Sequence, residues 1–195
     1  MDDEAALVSR AKHDPHAFGV LYDRYVDRIY RYLLSRTGNV QVAEDLTAET
    51  FLAALKSLWR FRWTGKPFIA WLYRIALAQI GEFYRQQRRV PTVALELAAE
   101  LPGLKETPEL LTDDYGVLHQ TLEQLPRPQY EAIVLKYFED LPIAEIAWVM
   151  RLPSNTIKSH LRRGLLRLRE LIDSPYAANQ PAKPRGAFAP RGATR

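Results

Sequence analysis

Six polar residues toward the C-terminal end have the types and spacing to read a nucleic acid: Asn155, Thr156, Lys158, Ser159, Arg162 and Arg163. On a helix turning about 100° per residue, Asn155, Lys158, Ser159 and Arg162 share an arc of roughly 100°. Amides and hydroxyls in such an arc exchange hydrogen bonds with base edges, and long cations hold phosphates. Thr156 and Arg163 stand just beyond its edge, where phosphates lie. Ile157, Leu161, Leu165, Leu168 and Ile172 fall within roughly 80° on the other side, the pattern of a stripe that packs on a core.

Such a helix has to be held by another. Ile143, Ile146, Ala147 and Met150 recur at helical spacing just upstream, and Pro142 suits a first turn, where its missing N–H costs nothing. Leu152-Pro153 ends that helix, because a residue before proline is pushed out of the helical region. Ser154 is a good N-cap for the next. The whole reads as a helix–turn–helix whose second helix faces a major groove. The competing reading is an ordinary amphipathic helix with a solvated polar face.

The remaining chain predicts helices throughout, with no period-two alternation. Asp14-Pro15 opens a long helix carrying Phe18, Leu21, Tyr22, Tyr25, Ile29, Tyr32 and Leu33, and Gly38 is its stop. A second runs from about Val40 to Phe61, the stretch 62–67 is a loop, and a third runs from about Phe68 to Arg89. The fold class is therefore all-α, with two small helical domains joined by an acidic linker and the helix–turn–helix in the second. The expected boundaries are 1–90, 91–114, 115–173 and 174–195. Residues 90–114 hold one lysine against six acids, and the tail from 174 holds four cations and no acid. That tail is too poor in apolar residues to order itself.

Net charge is +4 over 195 residues, which suits a polyanionic partner. The chain has no cysteine, so disulfides and thiolate metal sites are excluded. The four histidines have no metal-ligand spacing, and no Gly-rich phosphate loop or nucleophile–base pair appears. The expectation is a non-enzyme without metal or cofactor. No apolar run approaches the ~20 residues of a membrane span, and the acidic N-terminus lacks a signal pattern, so a cytoplasmic protein is expected.

Two further faces have partners to find. On the second helix, Phe51, Ala54, Leu55 and Leu58 form one arc, expected to be core. Asp45, Glu49 and Lys56 form another, flanked by Leu46 and Leu52. Carboxylates ringed by exposed apolar groups suit a protein partner. On the third helix, Leu72, Ala76, Ile80 and Phe83 form the core stripe. Trp71, Arg74, Arg85, Arg88 and Arg89 share about 100° on the other side. Cations beside an aromatic suit unpaired DNA, with phosphates tracking the arginines and bases stacking on rings. Trp63, Gly65 and Lys66 lie in the preceding loop; Trp63 and Trp71 could equally be core.

AEDLTAETF (Ala43–Phe51), FIAWLYRIA (Phe68–Ala76) and the helix–turn–helix after LEQLPRPQYEAIVLKYFEDLPIAEIA (Leu122–Ala147) stand in the order and spacing of bacterial sigma factors. Over about residues 14–172 the chain resembles the two-domain extracytoplasmic-function (ECF) class. The resemblance implies a subunit that binds RNA polymerase core and promoter DNA. By it, Asp45, Leu46, Glu49 and Leu52 grip the largest-subunit clamp helices, and the second domain meets the second-subunit flap. Trp63, Lys66, Trp71, Arg74, Arg85, Arg88 and Arg89 meet the −10 element, where a base is flipped out. Asn155, Thr156, Lys158, Ser159, Arg162 and Arg163 meet the −35 element. The linker threads toward the active-site and exit channels or is a plain tether, and an anti-sigma factor is a further implied partner.

The chain departs from the family's pattern where Arg-Asn and Asp-His pairs are usual. It has Leu77-Ala78 and Glu82-Phe83, which alters the −10 surface. The alternative to a sigma factor is a stand-alone helix–turn–helix regulator, which would need a dimerisation surface the sequence does not offer.

Overall fold

The computed structural model describes residues 4–89 and 120–173, and within them every regular element is helical. The expectations for the 91–114 linker and the 174–195 tail lie outside the described residues. The first unit holds α1 (Glu4–Ala11), α2 (Pro15–Thr37), α3 (Val40–Ser57) with a 3-10 turn at Leu58–Arg60, and α4 (Phe68–Arg89). The second holds a helical turn at 120–123, then α5 (Arg127–Ile133), which widens into a π turn at Val134–Phe138, then α6 (Ile143–Met150) and α7 (Ser154–Asp173).

The long helices begin and end where their side chains dictate. Asp14 accepts a hydrogen bond from the His16 N–H at 2.9 Å and Pro15 follows it, fixing the start of α2. Gly38 takes φ +61 and donates its N–H to the Leu34 carbonyl, closing the helix in a left-handed cap. Asn39 then caps α3 through the Val42 N–H. Buried Thr47 and Thr50 return their hydroxyls to the carbonyls of Ala43 and Leu46, so neither leaves an unpaired donor inside.

α2 is the centre of the first unit. Leu21, Ile29, Tyr32 and Leu33 are buried along its length, meeting Phe51 and Ala54 of α3 and Phe68, Leu72, Tyr73 and Ala76 of α4. α1 is absent from the sequence expectations, being only eight residues long. It holds through Leu7, Val8 and Ala11 and through two polar ties. Glu4 accepts from the Tyr25 hydroxyl and, at 3.3 Å, from the Phe68 N–H at the start of α4. A carboxylate sixty-four residues upstream thus meets the N-terminus of α4, where negative charge is favoured.

In the second unit α5 and α6 pack on α7, with Ile133, Ile146, Ile157 and Leu161 inside. A Cβ added at Gly164 would stand 2.6 Å from Ile133 Cδ1, so glycine sets how closely α5 and α7 approach. α6 ends at Arg151, a non-glycine residue at φ +56.

Three expectations need correcting. Leu55 is an exposed residue, not core, because α3 turns Ala43, Leu46, Thr47, Thr50 and Phe51 inward and carries Leu55 outward beside Leu52. Leu46, expected to flank the charged arc, is 4% exposed and belongs to that inward row. Leu165 and Ile172 are exposed as well. The covered line of α7 runs through Ile157, Leu161, Gly164 and Leu168, which leaves Leu165 and Ile172 to one side of it.

Candidate nucleic-acid and partner interfaces

On α7, Asn155, Lys158, Arg162 and Arg163 are exposed, while Thr156 and Ser159 are half-buried. Ser159 Oγ donates to the Asn155 carbonyl at 3.0 Å, so its proton is committed to the helix and only its lone pairs remain for a base. None of the ion pairs among the described residues involves Lys158, Arg162 or Arg163. The helix thus presents cations that no described residue neutralises in an ion pair, as phosphate binding requires.

On α3, Asp45 and Glu49 are exposed beside Leu52, which is 50% exposed, and Leu55. Trp59 extends the row at 65% exposure, with the Arg60 guanidinium 4.5 Å over its ring. Leu52, Leu55 and Trp59 form one apolar line at helical spacing, with acids on its N-terminal side. Leu46, 4% exposed, reaches this surface only in the groove beside it, while Leu55 and Trp59, which the sequence reading missed, extend the apolar line. A shallow groove of about 230 Å³ adjoins the face, between Asp45 and Glu49 of α3 and Glu82 and Phe83 of α4.

The loop before α4 and its first turns form an aromatic cluster. The Trp71 ring lies 4.7 Å from Phe61 and 5.3 Å from Phe68, and Phe61 meets Trp63 edge-on at 6.4 Å. Trp71 is half-buried, whereas Trp63 is exposed. Lys12 Nζ fastens the cluster to α1 by donating to the Phe61 carbonyl at 2.7 Å. The expected cations do not act as one free surface. The Arg74 guanidinium sits 4.6 Å over the ring of Trp148 on α6, and Lys66 Nζ approaches that ring at 5.9 Å. Burial first, and then Arg151, hold the Arg74 pKa below the ordinary guanidinium value. Arg85 pairs with Glu82 on its own helix, and Arg88 and Arg89 occupy the last turn of α4.

A polar cluster lies between the units, and the sequence reading missed it. Glu131 of α5 accepts from the Tyr32 hydroxyl at 2.7 Å and lies 2.9 Å from Arg36 Nε, an ion pair that lacks hydrogen-bond alignment. The Tyr130 hydroxyl donates to the Ser35 carbonyl, and Arg36 stacks 4.4 Å over the Tyr130 ring. Burial lowers the Arg36 pKa, but Glu131 and the surrounding tyrosines outweigh it and hold the guanidinium above its ordinary value. A second carboxylate, Glu139, accepts from the Tyr73 hydroxyl and pairs with Arg28 at 3.4 Å. Burial raises its pKa above the usual carboxylate range, against the opposing pull of Tyr73 and Arg28. The signal available in the sequence was the placing of Tyr32 and Arg36 on the buried stripe of α2, where apolar residues would suffice for a closed core.

Residues 21–90 match Sigma-70 region 2 and residues 115–168 match Sigma-70 region 4. These matches, on an all-helical frame ending in a helix–turn–helix, define an RNA polymerase sigma factor. The chain belongs to the ECF class of that family. It is 35% identical over 170 residues to the ECF RNA polymerase sigma factor BldN of Streptomyces coelicolor, covering 85% of this chain and 64% of that one. It is 34% identical over 184 residues to the RNA polymerase sigma-H factor of Pseudomonas aeruginosa, covering 88% of this chain and 93% of that one. Among solved structures it is similar to CnrH in complex with the cytosolic domain of CnrY, with a TM-score of 0.67 and 26% identity over 88% of this chain and 98% of that one.

Proposed function

We propose that the chain directs RNA polymerase core to promoters through three surfaces. The apolar-acidic line of α3, with Asp45, Glu49 and Leu52, docks on the clamp helices of the polymerase. The α4 face and the loop before it, from Trp63 and Lys66 through Trp71, Arg74, Arg85, Arg88 and Arg89, take the unpaired −10 strand. Asn155, Thr156, Lys158, Ser159, Arg162 and Arg163 of α7 enter the −35 major groove. The observation that carries this reading is the cationic face of α7, unpaired among the described residues, in the same chain as an apolar-acidic partner face on α3.

One recognition helix makes few contacts, so its affinity by itself is weak and salt-dependent. Tethering both DNA-reading units to one polymerase raises the effective concentration of each for its element. The domain limits consistent with this division are 1–90 and 115–173, with 91–114 between them. The chain acts by binding and not as an enzyme, in the cytoplasm; among the described residues no helix is long and apolar enough to cross a membrane. CnrH was solved with a protein bound to it, and a protein that sequesters this chain is expected in the same way.

The test is run-off transcription with sigma-free core polymerase on a promoter panel. Initiation that depends on added protein is the expected result. No transcription, together with tight duplex binding by the chain alone, would overturn the reading in favour of a stand-alone regulator.

A further inference from the structure

The first helix of the chain grips both ends of the loop that precedes α4. Lys12, one residue past α1, donates from Nζ to the Phe61 carbonyl at 2.7 Å. Glu4, at the start of α1, accepts from the Phe68 N–H at 3.3 Å and from the Tyr25 hydroxyl. Phe61 and Phe68 bound the stretch 62–67, and their rings meet edge-on at 5.7 Å. Leu7, Val8 and Ala11 are buried between the two ties, so α1 is anchored along its length and gives both contacts a fixed base.

The loop has little of its own to hold it. Residues 62–66 form no helix, and among the described residues they make no backbone–backbone hydrogen bond. Gly65 turns the chain at φ +75, and Arg62, Trp63 and Thr64 are exposed. Fixing both ends of such a segment reduces the conformations open to it. Lys12 is half-buried and enters no ion pair among the described residues, so its proton goes to a neutral carbonyl and not to an acid. That contact does not neutralise the ammonium; what it achieves is placement of the Phe61 backbone.

We propose that α1 is a bracket for this loop, with Lys12 and Glu4 as positioning residues that hold Trp63 and Lys66 where an unpaired DNA strand meets them. The proposal rests on the −10 reading of the loop. Neither positioning residue has to touch DNA. The bracket keeps the Trp63 ring edge-on to Phe61, 6.4 Å between centroids, and a strand that requires this placement binds in proportion to its population. Releasing either end therefore weakens strand binding although every group that meets the strand is still present.

The chain has no cysteine, so Thr64→Cys gives a single exposed site for a nitroxide label on the loop. Its electron paramagnetic resonance line shape reports loop motion without reference to DNA. The bracket is opened at one end by Lys12→Met and at the other by Glu4→Ala. Circular dichroism establishes that the helices remain, and either variant carries the test if the other unfolds. Lys12→Arg keeps a donor and Glu4→Gln an acceptor. Affinity of the unlabelled full chain is read by anisotropy of a fluorescein-labelled oligothymidylate strand. Lys12→Met removes a positive charge and Glu4→Ala a negative one, so nonspecific electrostatics push the two affinities in opposite directions. The expected result is a more mobile label and about fivefold weaker strand binding in both, each reversed by the conservative variant at the same position.

An unchanged line shape in the folded variants overturns the bracket itself. Affinities that follow charge, weaker in Lys12→Met and tighter in Glu4→Ala, overturn the positioning role. A loosened loop with unchanged affinity overturns it as well, and Trp63→Ala then tells which premise failed. If Trp63→Ala weakens strand binding, the loop meets the strand and only the positioning role falls. If Trp63→Ala also leaves affinity unchanged, the −10 reading of the loop falls with it.

Discussion

Arg36 Nε stands 2.9 Å from Glu131 Oε1, and the two side chains are 2% and 3% exposed. One belongs to the region-2 unit and the other to the region-4 unit. Each charge is buried only because the other is there. A lone ion so placed would carry a desolvation penalty of several kcal/mol.

Removing one member alone should therefore cost more than removing both. Glu131→Leu strands Arg36 and is expected to lower stability by about 3–5 kcal/mol while the units stay together. Arg36→Met with Glu131→Leu should recover most of that loss. Urea unfolding of the two single variants and the double gives the coupling. Additive losses would show that the pair is not a unit.

The surface of α3 separates docking from folding. Glu49→Lys should weaken association with core polymerase about tenfold or more while leaving the melting temperature unchanged, since Glu49 is exposed. Leu46→Ala should instead destabilise the fold by about 2–4 kcal/mol, because Leu46 is buried. Core association measured by size exclusion or anisotropy, beside thermal melts, distinguishes them. Unimpaired docking by Glu49→Lys would remove this face from the interface.

On α7, Arg162→Ala is expected to cost about 1–3 kcal/mol in holoenzyme binding to a promoter duplex and to relax discrimination at one −35 position. Lys158→Ala should weaken binding evenly across sequences if it meets a phosphate, and reduce the salt slope by about one. Binding measured across a salt series with mutated −35 duplexes checks both.

Alkali should unfold the chain through its tyrosines. Burial, and then the carboxylate of Glu4, push the Tyr25 pKa up to about 12. Burial likewise raises Tyr32, Tyr73 and Tyr130. A tyrosine whose folded pKa is raised favours the fold fully below the unfolded value near 10, and that contribution is lost as pH climbs toward the folded value. For Tyr25 the window is pH ~10 to ~12. Tyrosinate absorbance from these residues should therefore appear together with loss of helical ellipticity. Ionisation of all four at constant helicity would contradict their burial.

Arg151 closes α6 at φ +56, a conformation that disfavours a side chain by about 1 kcal/mol or more. Arg151→Gly relieves this and removes a cation acting on Arg74. A gain of about 1 kcal/mol is expected, read from the shift in urea midpoint at constant m-value. A loss would mean that the arginine side chain makes a contact worth more than the strain.

The course of each helix was legible from residues only a turn apart. Asp14-Pro15, Gly38 and Leu152-Pro153 bear on backbone groups within four positions, so the limits of α2 and the break before α7 needed no tertiary information. The outward face of α7 was legible for the same reason, since Asn155, Lys158 and Arg162 share an arc by helical geometry alone. What helical period cannot tell is which neighbour arrives to cover a stripe. Leu46 and Leu52 both border the charged arc in sequence, yet one is buried and the other is not. Leu165 and Ile172 continue an apolar stripe in sequence, yet the buried line of α7 runs beside them through Gly164 and Leu168. Tyr32 and Glu131 are ninety-nine residues apart, and nothing local to either names the other. The sequence alone determined the helical order, the family and the exposed polar side of α7. Only the tertiary structure decided that Trp148 lies on Arg74 and that two buried carboxylates hold the units together, because burial and ion pairing depend on groups brought together from distant parts of the chain.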